Sequence, residues 1–191
     1  MTTLLTTVLA IGVLAGCSEK TPGSANTTAP TSGEQTSNAP TSNEPSSGLS
    51  IAKFVSKPCD VLTATQVAKL GNVSAPKAGT SDTLGPTCEW TGKVPTDNSS
   101  YTVYVTENKD VEQMVSNVKT NPIFKDKKVG DVRVIVNDST DGTLHCRAII
   151  EVSKTDSVTV DVRTAYKERA SKPSCTDVES VATMAIETLK G

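Results

Sequence analysis

Five cysteines are the side chains in this chain best suited to covalent chemistry. Four of them, Cys59, Cys88, Cys146 and Cys175, form an even set, which in an exported protein indicates disulfide bonds. Three pairings are possible. We favour Cys59 with Cys88 and Cys146 with Cys175, because each pair then joins the start of a predicted helix to an inward-facing strand position. Each bridge would close a loop of about 30 residues and stabilise the fold by roughly 3–4 kcal/mol.

The fifth cysteine, Cys17, ends the sequence Leu14-Ala15-Gly16-Cys17, which resembles the lipoprotein box of exported bacterial proteins. In that motif, small residues admit the signal peptidase and the cysteine thiol carries a diacylglycerol. Residues 1–16 are therefore predicted to be a lipoprotein signal peptide, although no Lys or Arg precedes the apolar run as such peptides require. We expect that the true start codon lies upstream, and that Cys17 is lipidated and anchors the chain in the cell membrane, on its extracytoplasmic face.

A metal site or a histidine-dependent active site is not predicted. The chain has no Cys-x-x-Cys pair and only one histidine, His145, so we expect no metal and no cofactor. Strand alternation places His145 on an outer face beside Arg147, with Leu144 and Cys146 pointing inward, which excludes an adjacent Cys–His couple. No glycine-rich phosphate loop, paired-carboxylate motif or Gly-x-Ser-x-Gly elbow is present either.

Two other features receive mainly structural interpretations. Residues 137–142 resemble the first half of a calcium loop, but Ala148 stands where a bidentate glutamate is needed, which favours a plain turn between strands. Trp90 shares a predicted strand face with Cys88 and should pack against that bridge. It is also the one residue for which we predict a possible ligand contact.

Composition divides the chain into a tether and one domain. Residues 17–50 begin with the lipidated cysteine and are rich in Ser, Thr and Pro, so they are predicted to form a disordered spacer with a reach of about 30 Å. Residues 51–191 form a single domain with 18 basic and 18 acidic side chains, since the tether holds one lysine and three glutamates. A neutral domain lacks the basic excess of a nucleic-acid binder, so no nucleic-acid partner is expected.

The domain follows the predicted order α-β-β-α-β-β-β-α. The helices cover residues 63–70, 111–118 and 176–189, the first opened by a Thr63/Gln66 capping box and followed by Gly71, the last capped by Thr176. The strands lie around residues 88–90, 101–106, 132–136, 144–152 and 158–162, and Lys125 to Lys128 are placed in a loop. Short turns and one polar face predict an α+β fold in which three helices cover one face of an antiparallel sheet.

Several of these segments together resemble one family. They are Pro58-Cys59-Asp60-Val61-Leu62-Thr63, Leu70-Gly71, Cys88-Glu89-Trp90, the strand cysteine Cys146, and Pro173-Ser174-Cys175. The chain resembles the actinobacterial lipoprotein family catalogued as domain of unknown function 3558, over about residues 14–189. The resemblance implies a lipid-anchored exported domain similar to the Mog1/PsbP-like sandwich, and it implies no activity and no catalytic residues.

The sequence thus predicts a lipid-anchored protein of the cell envelope that is not an enzyme. Its expected partners are the membrane, through Cys17, and a cell-wall or envelope protein component bound by a non-enzymatic interaction module. Two alternatives stay open. One is an envelope hydrolase or transferase whose carboxylates meet only in the folded protein, and the other is a carrier of a small apolar ligand.

Overall fold

The computed structural model describes residues 48–191. The predicted signal peptide, Cys17 and all but the end of the predicted tether lie outside the described residues. Seven strands are present: β1 Lys77–Ser81, β2 Gly85–Trp90, β3 Ser100–Thr106, β4 Ile123–Val129, β5 Val132–Asp138, β6 His145–Glu151 and β7 Ser157–Arg163. The helices are α1 Ala52–Val55, α2 Ala64–Val67, α3 Val111–Ser116 and α4 Ser174–Lys190, with 3₁₀ turns at Pro58–Val61 and Tyr166–Glu168. Within this part of the chain, no helix has the length and apolar character needed to cross a membrane.

The strands form one antiparallel sheet in the order β1-β2-β3-β7-β6-β5-β4. It consists of two meanders, β1 to β3 and β4 to β7, which join where β3 pairs with β7 along its whole length. The chain passes from the centre of the sheet to its far edge between β3 and β4, and α3 lies in that connection. The prediction of an α+β fold with an antiparallel sheet is confirmed.

One face of the sheet, the inner face, carries the main hydrophobic core. Alternate residues of the central strands point to this face and are fully buried, as in Val103, Val160 and Ala148. The long helix α4 covers them, with its own buried residues at helical spacing: Val178, Val181, Ala182, Ala185, Ile186 and Leu189. Leu49 also belongs to this core, two residues before the boundary predicted at residue 51.

The opposite face, the outer face, is covered at one end by α3. Val111 and Val115 of this helix pack with Ile135 and Ile149 of the sheet in a second, separate hydrophobic cluster. The prediction that three helices cover one face of the sheet is therefore wrong, because α3 lies on the other side from α4. Amphipathic spacing shows that a helix has an apolar side, and it does not show which face of a sheet that side contacts.

Both disulfides have the predicted pairing. Cys59, in the 3₁₀ turn, is bonded to Cys88 of β2, and Cys146 of β6 is bonded to Cys175 in the first turn of α4. Cys88 and Cys146 are fully buried on the inner face, so each bridge ties a helical turn to the sheet below it. Each closes a loop with a sequence separation of 29.

Local signals in the sequence were of mixed value. The Thr63/Gln66 capping box is present, and Gly71 has a φ of +107°, as a glycine after a helix requires. The final helix is not capped by Thr176, because it begins at Ser174 with Pro173 before it. Leu144 precedes β6 and is 45% exposed, so it does not point inward as predicted.

Two strands, β1 and β4, were not predicted. Lys125 to Lys128, interpreted as a solvated loop, belong to β4 at one edge of the sheet. Lys125 and Lys127 extend over the inner face to Glu179 of α4, with nitrogen–oxygen distances of 3.5 and 2.5 Å. An edge strand tolerates such charged residues because its side chains reach solvent around the rim of the core.

Candidate functional site

The end of the outer face that α3 leaves uncovered is concave and encloses a volume of about 700 Å³, which we call the outer-face groove. Side chains of β2, β3, β7 and β6 form its floor, and a loop of residues 164–169 forms one wall. The register aligns Glu89, Thr102, Asp161 and Arg147 in one row across the four strands. A second row contains Ser100, Arg163 and His145. The groove is thus lined mainly by charged and hydroxyl side chains.

Asp161 is the centre of an ionic cluster on the groove floor. Arg147 donates to its Oδ2 from Nε at 3.1 Å and from Nη2 at 2.7 Å, and the Nε2 atom of His145 lies 2.7 Å from its Oδ1. Burial by itself would raise the pKa of Asp161, but the hydrogen bonds from His145 and Arg147 outweigh it and hold that pKa below its ordinary value. Asp161 is therefore ionised at neutral pH and fully engaged.

His145 is held by carboxylates on both sides. Its Nδ1 atom lies 3.3 Å from Oδ1 of Asp138, opposite the contact between Nε2 and Asp161. The hydrogen bond to Asp161 is the main cause that raises the pKa of His145. A protonated ring donates from both nitrogens, so the arrangement suits the imidazolium form. General base catalysis needs a ring nitrogen that can accept a proton from a substrate, and here both face carboxylates.

Arg163 and Arg169 differ from Arg147 in having no acidic partner. Within residues 48–191, neither guanidinium makes a hydrogen bond or an ion pair, and Nε of Arg169 is buried. The hydroxyl of Thr164, on the same wall, is also buried without a hydrogen-bond partner among the described residues. Arginine presents a planar set of donors that fits a carboxylate or phosphate in two-point contact. Arg163, and the nitrogens of the Arg169 guanidinium other than its buried Nε, therefore offer unused donors to the groove, whereas the Thr164 hydroxyl is closed off from it.

The wall that carries these donors is fixed to the rest of the fold. Ser99 donates from its hydroxyl to Glu168 at 2.5 Å and accepts from the backbone of Ala165 at 3.0 Å. Lys167 reaches Asp97 at 2.7 Å, and the backbone of Thr164 donates to Leu144 at 2.9 Å. A wall held at several points presents Arg169 in a defined position without a ligand, which lowers the entropic cost of binding.

The sequence profile of a family described as a protein of unknown function, DUF3558, matches residues 12–188. The chain belongs to this family. The match covers the described fold except its last three residues, 189–191, and it also includes Cys17 and the tether. Membership confirms the resemblance inferred from the cysteine-containing segments, and it brings no activity with it.

Two other comparisons returned nothing. No curated protein matches the chain, and no solved structure matches it. The similarity to a Mog1/PsbP-like sandwich therefore stays a prediction. The chemistry of the groove therefore follows from the residues of this chain alone.

The residues singled out from the sequence lie at different places. His145 lies on the outer face beside Arg147, as predicted, and lines the groove. Trp90 is fully buried in the inner core with Cys88, so its ring is not part of any surface that a ligand could reach without opening the core. Residues 137–142 include the turn after β5, where the Asp138 carboxylate accepts from the backbone of Thr140 and Gly142.

Sequence reasoning did not find Arg163, Arg169 or Asp161. A signal for two of them was available, because the inward alternation of Val158, Val160 and Val162 puts Asp161 and Arg163 on the outer face. Nothing in the sequence placed Arg169 beside them, since that contact depends on how the loop after β7 turns back over the sheet.

Proposed function

We propose that this chain is a lipid-anchored protein of the cell envelope that binds an anionic ligand in the outer-face groove and does not catalyse a reaction. Cys17 would carry the lipid, residues 17–50 would act as the spacer, and the domain would lie on the extracytoplasmic side of the cell membrane. The observation that carries the binding role is the pair of arginines that have no acidic partner among residues 48–191, Arg163 on the floor and Arg169 on the wall of one groove.

The compartment is supported by the two disulfides. Disulfides form and persist in oxidising environments outside the cytoplasm, and both bridges here staple helical turns to the core. The box at Leu14 to Cys17 supplies the route for export, and acylation by two or more chains would anchor the protein stably.

The contents of the groove favour binding over catalysis. His145 has carboxylates at both nitrogens, and Asp161 is engaged by His145 and Arg147, so neither is poised for proton transfer. The alternative of a carrier for an apolar molecule is not favoured by this site, because the lining is charged and rich in hydroxyl groups.

The anchor is tested by metabolic labelling with an alkyne fatty acid. We expect the full chain to be labelled and to fractionate with membranes, and Cys17→Ala to lose the label. Ser18→Ala is the matched control and should behave as wild type. Labelling of Cys17→Ala at the wild-type level would refute lipidation at this position.

Anion binding is tested with the predicted mature chain, residues 17–191, carrying Cys17→Ala, which leaves out both the apolar signal peptide and the lipid. At constant ionic strength, inorganic phosphate and citrate should raise the melting temperature of this protein, since a ligand that binds the native state stabilises it. The added pair Arg163→Ala and Arg169→Ala should abolish the increase, whereas Lys69→Ala with Lys119→Ala, the same charge change at exposed positions elsewhere, should not. Equal increases in all three proteins would place the effect outside the groove.

A further inference from the structure

A second pocket adjoins the outer-face groove at Arg169. It has a volume of about 630 Å³ and is lined by the start of β4, by the turn at residues 141–143, and by Ala170, Pro173 and Cys175. Arg169 borders both this pocket and the groove. A ligand held at Arg169 can therefore extend in two directions, which suits a chain of several units better than a single small acid.

The remaining lining of the groove consists largely of neutral hydrogen-bonding groups. Hydroxyl or amide side chains on its floor and rim are Thr91, Thr96, Asn98, Ser100, Thr102 and Thr164. Thr102 is half-buried and makes no side-chain hydrogen bond within residues 48–191. Such groups both donate and accept, so they match a ligand that carries many hydroxyl groups of its own.

Aromatic side chains are scarce in this protein, and two of the six line the groove. Tyr166 is 73% exposed, a large exposed fraction for an aromatic side chain. Its ring lies 5.1 Å from the guanidinium carbon of Arg169. An exposed aromatic ring beside hydrogen-bonding groups offers a stacking surface for the C–H face of a sugar ring, with its hydroxyl groups turned to the polar residues.

We propose that the ligand is an acidic carbohydrate chain, which rests on the proposed function of the groove as an anion-binding site. Its carboxylate or phosphate would pair with Arg163 and Arg169, one sugar ring would stack on Tyr166, and the next units would enter the second pocket. The shared chemistry is an oxyanion on a polyhydroxylated ring. No bond is made or broken.

An acidic peptide fits the site less well. Extended peptides usually bind to proteins with a sheet by adding a strand at an exposed edge, where the backbone is unpaired. The groove lies over β3, β7 and β6, which are paired on both sides, and the two edges, β1 and β4, are elsewhere. The floor of the groove therefore presents side chains to a ligand, and it has no unpaired strand backbone with which a peptide could pair.

The test is calorimetry at constant ionic strength on the predicted mature chain with Cys17→Ala, using probes that differ in backbone, length or charge. The probes are a galacturonate tetramer, a phosphorylated maltotetraose, neutral maltotetraose, tetraglutamate and galacturonate monomer. We expect one of the two acidic tetrasaccharides to bind at least ten times more tightly than tetraglutamate or the monomer, and neutral maltotetraose to bind at least ten times more weakly than it. The acid that binds better identifies the anionic group.

Three variants locate the contacts. Tyr166→Ala should weaken the acidic tetrasaccharide about tenfold and leave tetraglutamate unchanged, whereas Tyr166→Phe should keep most of the affinity because the ring is retained. Ala170→Trp places a large side chain at the exposed surface of the second pocket and should reduce the tetramer to the affinity of the monomer.

The outcomes separate this inference from the proposed function. If tetraglutamate binds as tightly as the acidic sugars and Arg163→Ala weakens both, the groove is an anion site and the carbohydrate proposal is overturned. If neutral maltotetraose binds as tightly as the acidic tetrasaccharides, the proposal that a carboxylate or phosphate pairs with the arginines is overturned. If no probe and no inorganic phosphate binds, the proposed function and this inference both fail.

Discussion

The two ends of the outer face are built on the same strands and differ in what lies over them. Along β6, His145 and Arg147 line the groove, and two residues further Ile149 is buried beneath α3. Along β7, Arg163 and Asp161 line the groove, and Thr159 is fully buried. On both strands, the outer-face residues are charged in the groove and become uncharged and buried where α3 covers the sheet. The strands therefore carry polar and charged residues at the open end, where no helix covers them, and not apolar residues left exposed.

The difference also separates the sources of stability from the sources of binding. The covered end contributes apolar burial, which grows with the area removed from water. The open end pairs Asp161 with His145 and Arg147, and it holds two arginines that have no acidic partner in the described part of the chain. A protein that needed only stability would place apolar residues at both ends.

The largest effect is expected at the covered end, from Ile135→Ala. Ile135 is fully buried between the sheet and α3, so the change removes apolar contacts and leaves a cavity. We expect the free energy of unfolding to fall by about 2–5 kcal/mol, with anion binding at the groove unchanged under native conditions. Urea unfolding measures the first quantity, and calorimetry with the binding probe measures the second.

Leu144→Ala is the matched control for this change, because it removes similar apolar volume at an exposed position on the rim of the groove. It should alter the unfolding free energy by less than about 1 kcal/mol. If Ile135→Ala destroyed binding at a denaturant concentration where the fold is intact, the two ends would be coupled and the comparison would be wrong.

The sequence predicted the helix of the covered end but not the face of the sheet on which it lies, and the reason is physical. Alternation along β6 and the spacing of Val111, Met114, Val115 and Val118 gave the apolar faces, because burial imposes a period on each element. The face of the sheet that α3 covers depends on the path of the chain between β3 and β4, which no local period records. β4 was missed because its lysines, at a sheet edge, break the alternation that marks a strand.

The groove was predicted only in part for a related reason. His145 was correctly placed on the outer face from its own strand. Its partner Asp161 is 16 residues away on β7, and the contact exists only because β6 pairs with β7 in one register. Alternation along one strand shows on which face of the sheet each residue lies. Which residues of two strands are neighbours depends on the register in which the strands pair.

A smaller effect is expected at the boundary between the two ends, from Thr159→Val. The Thr159 hydroxyl is buried, and no hydrogen-bond partner for it is found in the described part of the chain. Valine has nearly the same shape and replaces the unpaired hydroxyl with a methyl group, so we expect the unfolding free energy to rise by about 1 kcal/mol. Thermal and urea unfolding both measure it.

Thr102→Val tests whether that gain depends on burial. Thr102 is on the neighbouring strand within the groove and reaches solvent, so its replacement should leave the unfolding free energy within about 0.5 kcal/mol of wild type. A loss of stability in Thr159→Val would mean that the hydroxyl has a partner, such as a bound water, and would remove the contrast.

The smallest effect is a pH dependence confined to the open end. The hydrogen bond to Asp161 raises the pKa of His145, so protonation of this ring stabilises the fold below its unfolded pKa of about 6.5. That contribution is lost as the pH rises through the higher folded-state pKa. Asp161 stays ionised over this range because its own pKa is lowered. The stabilisation should thus be nearly complete at pH 5.5 and smaller at pH 8.5.

His145→Gln isolates this contribution, because the chain has no other histidine and few other groups titrate in that range. The wild type should be more stable than the variant at pH 5.5, and the difference should shrink by up to about 1 kcal/mol at pH 8.5, a modest value because the ring is about one-third exposed. Ile135→Ala should show no such change between the two pH values, since it lies beneath α3 and away from the ionic cluster. A difference between wild type and His145→Gln that grows with pH would mean that the ring is neutral in the fold, and Arg147 would then be the only cation paired with Asp161 among the described residues.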